Sequence, residues 1–105
     1  MIKGVLYNNQ PFISVIVGSS LGVKELVALV DTGFSGELKI SPKEASELGL
    51  EVTHTEPVTL ANEQAVVMKA SIAEVALEDS KNTVNVIIDT GIALVGMGLL
   101  QRFGY

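Results

Sequence analysis

The fold is decided by residues 27 to 40, which read Val-Ala-Leu-Val-Asp-Thr-Gly-Phe-Ser-Gly-Glu-Leu-Lys-Ile. Four apolar residues, Val27–Val30, run directly into Asp31-Thr32-Gly33. An apolar run of this length that ends in turn residues predicts a strand buried on both faces. The glycines that follow permit a sharp turn, and Glu37–Ile40 is predicted to leave the turn as a second strand. The sequence therefore places a carboxylate at the end of a buried strand.

The Asp31 carboxylate has two interpretations. A carboxylate at the end of a buried strand costs free energy unless it is hydrogen-bonded or takes part in chemistry. In the structural interpretation, Asp31 accepts a hydrogen bond from its own backbone two residues on, and Thr32 helps to hold the turn. The tripeptide alone favours this interpretation, because short motifs often occur by chance. The alternative is a catalytic carboxylate, and only the rest of the chain separates the two.

Length and composition set the class of protein. With 105 residues, the chain is expected to form one domain that has a core but is too small for two lobes. It is 48% hydrophobic with few aromatic residues, a profile typical of a globular, strand-rich protein. The net charge of −5, without a basic cluster, argues against nucleic acid or an anionic membrane surface as a partner.

The residue types that the chain lacks narrow its chemistry. The sequence contains no cysteine, so disulfides, thiol catalysis and thiolate metal sites are excluded, and we expect neither a cofactor nor a metal. Met1–Gly18 is interrupted by Asn8–Pro11 and so lacks the unbroken apolar stretch of a signal peptide. No apolar run approaches the length that crosses a bilayer. We therefore expect a cytoplasmic protein.

The order of elements predicts an all-β domain with short helices. One helix is predicted after Ile40, because Ser41 and Glu44 form a capping box, Pro42 takes the first helical position and Gly49 ends the helix. A second helical turn or two is predicted near the C-terminus. The strands are predicted at Ile2–Tyr7, Phe12–Val17, Val27–Val30, Glu37–Ile40, Val52–Thr55, Val58–Leu60, Val66–Leu77, Val84–Ile88 and Ile92–Val95.

Two motifs together resemble those of the retropepsin-like aspartic proteases. The first is the apolar run before Asp31-Thr32-Gly33, and the second is Leu94-Val95-Gly96, whose glycine lies 65 positions after Asp31 and precedes the predicted final helix. The segment Ser41–Leu50, with its Leu-Gly-Leu ending, resembles the small prokaryotic branch of that family. The resemblance spans nearly the whole chain. It implies one retropepsin-like domain over residues 1–105, a closed or partly open β-barrel half-domain with one or two short helices.

The resemblance also implies a homodimer that cleaves peptides. In this family a water is held between two Asp carboxylates, one from each half of the site, which share a proton and act as general base and general acid. A chain with one half-site would bring two copies of Asp31 together on a twofold axis. Thr32 would then hydrogen-bond across the axis, and Gly33 would let the backbone lie close to a peptide or protein substrate. No nucleic acid or membrane partner is implied.

The substrate-binding residues come from the same resemblance. The polar turn Ala61–Gln64 occupies the position of the flap, a hairpin that closes over bound peptide. Gly96 would pack beneath the catalytic loop. The family usually has Ala or Ser after Asp-Thr-Gly, whereas this chain has Phe34, which is expected to reshape the pocket beside the carboxylate. The substrate-binding set implied by the resemblance is Phe34, Ala61, Asn62, Glu63 and Gly96.

Asp89 and His54 are of residue types common in catalytic or metal sites, but the sequence does not support such a role for either. A second Asp-Thr-Gly begins at Asp89, 58 positions after Asp31, but two-lobed proteases carry the motif in lobes that each exceed this chain. We interpret Asp89 as a loop residue at a strand end and assign it no catalysis. His54, the single histidine, is interpreted as a residue on a strand face, since no cysteine or second histidine shares a metal with it.

Three functions of different classes remain open at this point. The first is a homodimeric aspartic endopeptidase, and the second is a catalytically weak or inactive domain of the same fold that binds peptides or dimerises. The third is a small structural β-protein in which Asp31 only caps a turn. Retroviral members end in a strand that interleaves with its partner, whereas this sequence ends at Tyr105. A dimer is therefore expected to rely on the N-terminal strand, the catalytic loops and the final helix.

Overall fold

The computed structural model describes residues 4–105, which form eight strands and two helices. The first residues of the predicted strand Ile2–Tyr7 lie outside the described part. The elements are β1 Gly4–Tyr7, β2 Gln10–Ser19, β3 Gly22–Val30, β4 Leu38–Ile40, α1 Pro42–Leu48, β5 His54–Thr59, β6 Ala65–Leu77, β7 Ser80–Ile88, β8 Leu94–Val95 and α2 Met97–Arg102.

The strands form one sheet that closes on itself. Their order is β1-β2-β3-β8-β4-β7-β6-β5, and a further antiparallel pairing between β2 and β6 joins the two halves into a ring. The β3–β8 and β4–β7 pairs are parallel, and the other pairs are antiparallel. The all-β prediction is confirmed. Because β8 lies between β3 and β4, it contacts the strand before the Asp31 turn and the strand after it.

Two apolar clusters fill the molecule, one on each face of the sheet. The larger cluster fills the inside of the ring with alternate residues of β2, β3, β6 and β7, and both helices pack against it. The smaller cluster lies on the opposite face and joins the β5–β6 hairpin to the sheet. Its buried members are Phe34, Val58, Ala70 and Ile87, and its half-buried members are Leu60, Val66, Met68 and Leu94.

Helix α1 has the ends that the sequence predicts. The Ser41 hydroxyl accepts a hydrogen bond from the Glu44 N–H at 3.1 Å, and the Glu44 carboxylate accepts one from the Ser41 N–H at 3.0 Å. Gly49 ends the helix with a φ of 69°, in the left-handed region that favours glycine. Neither helix of the described chain is long and apolar enough to cross a membrane.

Some predicted boundaries are wrong. The segments Val52–Thr55 and Val58–Leu60, predicted as two strands, are replaced by the single strand β5. Pro57 suggested a break, but β5 is an edge strand, where a residue without an N–H is tolerated. The prediction that Val27–Val30 is buried on both faces is also wrong. Val27 is 63% exposed, because its side chain alternates to the outer face of the ring.

Candidate active site

Asp31 lies directly after β3, where its backbone N–H and its backbone carbonyl both form hydrogen bonds. Its N–H donates to the Val95 carbonyl at 2.9 Å, which continues the parallel pairing of β3 with β8. Its own carbonyl accepts from the Phe34 N–H at 3.2 Å, which closes a turn. The side-chain Oδ1 accepts from the Gly33 N–H at 3.0 Å. The half-buried carboxylate is thus oriented by its own loop.

This geometry contains the turn that the structural interpretation predicts, since Asp31 bonds the backbone two residues on. The bond uses one carboxylate oxygen. Within residues 4–105, no hydrogen bond is made to the other oxygen, Oδ2. The turn therefore fixes the direction of the carboxylate and leaves one oxygen free for a water or a substrate. Thr32 and Gly33, the other predicted catalytic residues, are exposed beside it.

Phe34 and Gly96 support the loop from beneath. The Phe34 side chain is only 1% exposed, and the Phe34 carbonyl accepts from the Met97 N–H at 3.0 Å. Gly96 has no room for a side chain, because an added Cβ would lie 2.5 Å from the Phe34 carbonyl oxygen. These contacts bring Gly96 against the loop, in the place that the sequence predicts. That either residue binds substrate stays a prediction. The Phe34 ring is buried, so its position is one that supports the loop.

The predicted flap turn lies over the loop. Residues 60–64 join β5 to β6, and the Leu60 N–H donates to the Gln64 carbonyl at 2.9 Å. Ala61 is so close to Gly33 that a Cβ on the glycine would lie 2.7 Å from the Ala61 Cα. Gly33 is therefore needed for a close approach of two backbones. Asn62 and Glu63, also predicted to bind substrate, are exposed in the same turn.

The base of the hairpin is fastened to the loop by a reciprocal pair of hydrogen bonds. The Ser35 N–H donates to the Thr59 carbonyl at 3.0 Å, and the Thr59 N–H donates to the Ser35 hydroxyl at 2.8 Å. Asp31, the hairpin and the start of α2 are thereby assembled around one short loop, residues 31–36. A hairpin that is held at its base and joined to the sheet by apolar contacts can move at its tip without losing its position.

Glu37 and Arg102 are supporting residues that the sequence reasoning missed. Glu37 is 9% exposed, and its carboxylate accepts hydrogen bonds from the Asn85 N–H at 2.8 Å and from the Arg102 Nε. The hydrogen bond and charge of Glu37 raise the pKa of Arg102. The Glu37 carbonyl also accepts from the Gly96 N–H at 3.0 Å. The sequence did contain one signal for Glu37. An acidic residue beside buried apolar positions requires a hydrogen-bonding or charged partner.

The second Asp-Thr-Gly is attached to β4. The Asp89 N–H donates to the Ile40 carbonyl at 3.1 Å, and the Thr90 carbonyl accepts from the Lys39 ammonium at 2.5 Å. Asp89 directly follows β7, in agreement with a loop residue at a strand end. Lys39 is 8% exposed, and burial lowers the pKa of its side chain, an effect that the nearby charges of Asp89 and Glu44 oppose. His54 lies on β5, and its Nε2 is 3.0 Å from the Asn85 Oδ1.

Comparison with known proteins agrees with this geometry. An aspartyl protease family model matches residues 13–97. No curated protein sequence matches the chain significantly. Among solved structures, a retropepsin-like aspartic protease from Rickettsia conorii superposes with a TM-score of 0.64 at 17% identity, covering 100% of this chain and 78% of that chain. EIAV protease in complex with the inhibitor HBY-793 gives a TM-score of 0.65 at 16% identity, covering 95% of each chain.

The family match includes the Asp31 loop, the β5–β6 hairpin and the glycine before α2. The structural matches extend over the strands and helices that position these three segments. The chain therefore belongs to the aspartyl protease family and has the retropepsin-like fold.

Proposed function

We propose that the protein is a homodimeric aspartic endopeptidase in which Asp31 of each subunit contributes one of two catalytic carboxylates. The observation that carries the proposal is the Asp31 turn, which fixes Oδ1 through the Gly33 N–H and leaves Oδ2 without a partner in the described chain. The family has peptidase chemistry, and this chain supplies one such turn after β3. A second copy supplies the other carboxylate.

The proposed reaction is the addition of water to a peptide carbonyl. The ionised carboxylate takes a proton from the water, the water oxygen bonds to the carbonyl carbon, and the protonated carboxyl gives its proton to the carbonyl oxygen. In the second step the newly protonated carboxyl gives its proton to the amide nitrogen. The other carboxylate takes a proton from the diol, the C–N bond breaks, and an acid and an amine leave. The pair then holds one proton as it did at the start.

The remaining site residues have positioning roles in this proposal. Thr32 would hydrogen-bond across the twofold axis and keep the two Asp31 loops rigid. Gly33 would let the backbone approach the peptide, and Ala61–Glu63 would close over it and exclude water. Gly96 would act from beneath, where its lack of a side chain lets α2 begin directly against the loop.

The N-terminal hairpin supports the proposal of a dimer. Strand β1 is an edge strand, and its residues are exposed, including the large apolar side chains of Val5, Leu6 and Tyr7. An apolar edge strand left in water promotes association, and a second subunit would cover it. Tyr7 also contacts Phe12 edge-on, with ring centroids 6.4 Å apart. Phe12 pairs with Leu29, two residues before Asp31, so this surface is close to the proposed twofold axis.

The second candidate is a peptide-binding or dimerising domain with weak or no catalysis. The contact between Ala61 and Gly33 favours it, because the tip of the hairpin lies directly on the catalytic loop of its own chain. A substrate would have to lift the tip before it reached Asp31. In this candidate the hairpin opens and a peptide binds, but the two carboxylates do not cleave the peptide.

Cleavage of a mixed peptide library separates the two candidates. The wild-type chain and an Asp31→Asn variant are incubated with the library from acid to neutral pH, and products are identified by mass spectrometry. We expect wild-type cleavage to be greatest on the acid side of neutrality and to be absent in Asp31→Asn. The matched control is Asp89→Asn in the other Asp-Thr-Gly, which should keep its activity. Cleavage that persists in Asp31→Asn would contradict the proposal.

A further inference from the structure

The hairpin tip, residues 60–64, fills the space beside Gly33. A Cβ added to Gly33 would lie 2.7 Å from the Ala61 Cα and 3.0 Å from the Ala61 Cβ. The same added atom would lie 3.4 Å from the Asp31 Oδ1, so the space that Ala61 fills borders the carboxylate. Because a carbon–carbon bond is about 1.5 Å long, the Gly33 and Ala61 Cα atoms are at most about 4.2 Å apart.

This separation is too small for a peptide to pass between the tip and the loop. In a sheet, an extended strand lies about 4.8 Å from each of its neighbours, so a peptide between the two would hold their backbones about 10 Å apart. The tip would therefore have to withdraw from Gly33 by about 5 Å before an extended peptide could lie there. The conformation of the chain is closed to a peptide that reaches Asp31 over Gly33.

Hydrogen bonds hold the base of the hairpin but not its tip. At the base, Thr59 and Ser35 exchange the two hydrogen bonds described above. Within residues 4–105, the hydrogen bonds of residues 60–64 are all made inside the turn, where the Glu63 N–H donates to the Leu60 carbonyl and the Gln64 N–H donates to the Asn62 side chain. The tip can therefore leave the loop as one piece, and no hydrogen bond to the loop is broken.

Apolar contact holds the tip down instead. Leu60, the first residue of the tip, is half-buried and packs against the smaller apolar cluster, which includes Phe34 of the Asp31 loop. Lifting the tip would withdraw Leu60 from this cluster and expose apolar surface to water, at a cost that rises with the area exposed. Burial of Leu60 therefore favours the closed position over the open one.

We propose that residues 60–64 are an autoinhibitory lid, which lies on the Asp31 loop of its own chain when no peptide is bound and is held there by Leu60. The inference rests on the proposed function, because the peptide that displaces the lid is the proposed substrate. A peptide binds only the open fraction of the chains, so its apparent Kd equals the intrinsic Kd divided by that fraction. Weakening the closed position should therefore tighten peptide binding.

The test measures peptide binding after truncation of Leu60. The variants are made on the Asp31→Asn chain, and binding of fluorescein-labelled peptides from a library is followed by fluorescence anisotropy. We expect Leu60→Ala to lower the Kd about three- to tenfold, because the open fraction rises as apolar burial in the closed position is lost. Leu60→Met, which keeps an apolar side chain of similar volume, should bind as the parent chain does.

Leu50→Ala is the matched control. Leu50 is also a half-buried leucine, but it packs against the larger cluster and lies outside the hairpin. Urea denaturation should show both alanine variants folded and destabilised, and only Leu60→Ala should change the Kd. In chains that keep Asp31, Leu60→Ala should lower KM by the same factor and leave kcat unchanged, as expected for a step that precedes the chemistry.

Three results would overturn the lid. The first is a Kd in Leu60→Ala that equals or exceeds that of the parent, since Leu60 would then not hold a closed position. The second is an equal fall of Kd in Leu50→Ala, which would indicate general loosening of the chain. The third is a library from which neither the parent nor Leu60→Ala binds a peptide. If binding tightens in Leu60→Ala but the chain with Asp31 cleaves nothing, the proposed peptidase function fails and the lid stands.

Discussion

The Glu37 carboxylate accepts a hydrogen bond from the Arg102 Nε and thereby joins the strand after the Asp31 loop to the last helix. The same carboxylate accepts from the Asn85 N–H, so β7 is held at the same point. The Glu37 carbonyl accepts from the Gly96 N–H at the start of α2. Three elements that surround the loop of Asp31 therefore depend on one buried acidic residue.

Replacing Glu37 should disturb this junction. In Glu37→Ala the Asn85 N–H and the Arg102 side chain lose their acceptor, so we expect a loss of about 1–3 kcal/mol in the free energy of unfolding, measured by urea denaturation. The matched control is Glu74→Ala, since Glu74 is an exposed acidic residue on β6. Equal stability of the two variants would mean that the junction contributes nothing to the fold.

Gly96 should tolerate no side chain. An added Cβ would lie 2.5 Å from the Phe34 carbonyl oxygen and 2.7 Å from the Phe34 Cδ2, and both groups are enclosed. Gly96→Ala should lower the free energy of unfolding by about 3 kcal/mol or prevent folding, as overpacking does. Gly18→Ala is the control, because the nearest atoms to a Cβ there are 3.9 Å away. A stable, fully folded Gly96→Ala would contradict the close approach of α2 to the loop.

Because of Lys39, the free energy of unfolding should change with pH in the alkaline range. Burial lowers the pKa of Lys39 in the folded chain below the ordinary value of 10.5, which applies to the unfolded chain. At a pH between the folded and the unfolded pKa, Lys39 is therefore protonated more in the unfolded chain than in the folded chain. The free energy of unfolding therefore gains from Lys39 as the pH rises through its lowered pKa toward 10.5. Urea midpoints at pH 7 and pH 10 should show the wild type gaining relative to Lys39→Met. The matched control is Lys81→Met, at an exposed position on β7.

The hairpin tip should be among the more mobile parts of the backbone. Its internal hydrogen bonds are those of a small turn, and Ala61–Gln64 is exposed. Amide exchange should be faster there than in Val27–Val30. Gly33→Ala should speed it further, because the new Cβ would press on Ala61 and displace the tip. A tip as protected as the strand would end its assignment as a flap.

Local patterns predicted much of the fold. The capping box at Ser41, the left-handed Gly49 and the turn at residues 61–64 are decided by neighbouring residues, and all three are confirmed. The full lengths of β3 and β7 were missed, because Lys24 and Asn82 put polar side chains on the face of the core, opposite the buried Val17 and Val75, and so break the alternation. The placement of β8 between β3 and β4 depends on pairing between distant segments.

The supporting residues of the site were less accessible from the sequence. The motif indicated Asp31, but no local pattern connects Glu37 to Arg102, which is 65 positions away. Lys39 likewise reads as an ordinary polar residue on a half-exposed strand. Its burial and its hydrogen bond to the Thr90 carbonyl follow from the position of β4 between β8 and β7, which only the tertiary structure gives.

The central claim, that Asp31 is a catalytic carboxylate, is tested most directly by peptide cleavage with Asp31→Asn. Asn keeps an Oδ1 that can accept from the Gly33 N–H, so the turn and the melting temperature should be retained. In the proposed dimer, loss of one charge from the pair would also relieve repulsion. We predict that a folded Asp31→Asn preparation cleaves no peptide that the wild type cleaves. Cleavage at the wild-type rate by that preparation would contradict the account.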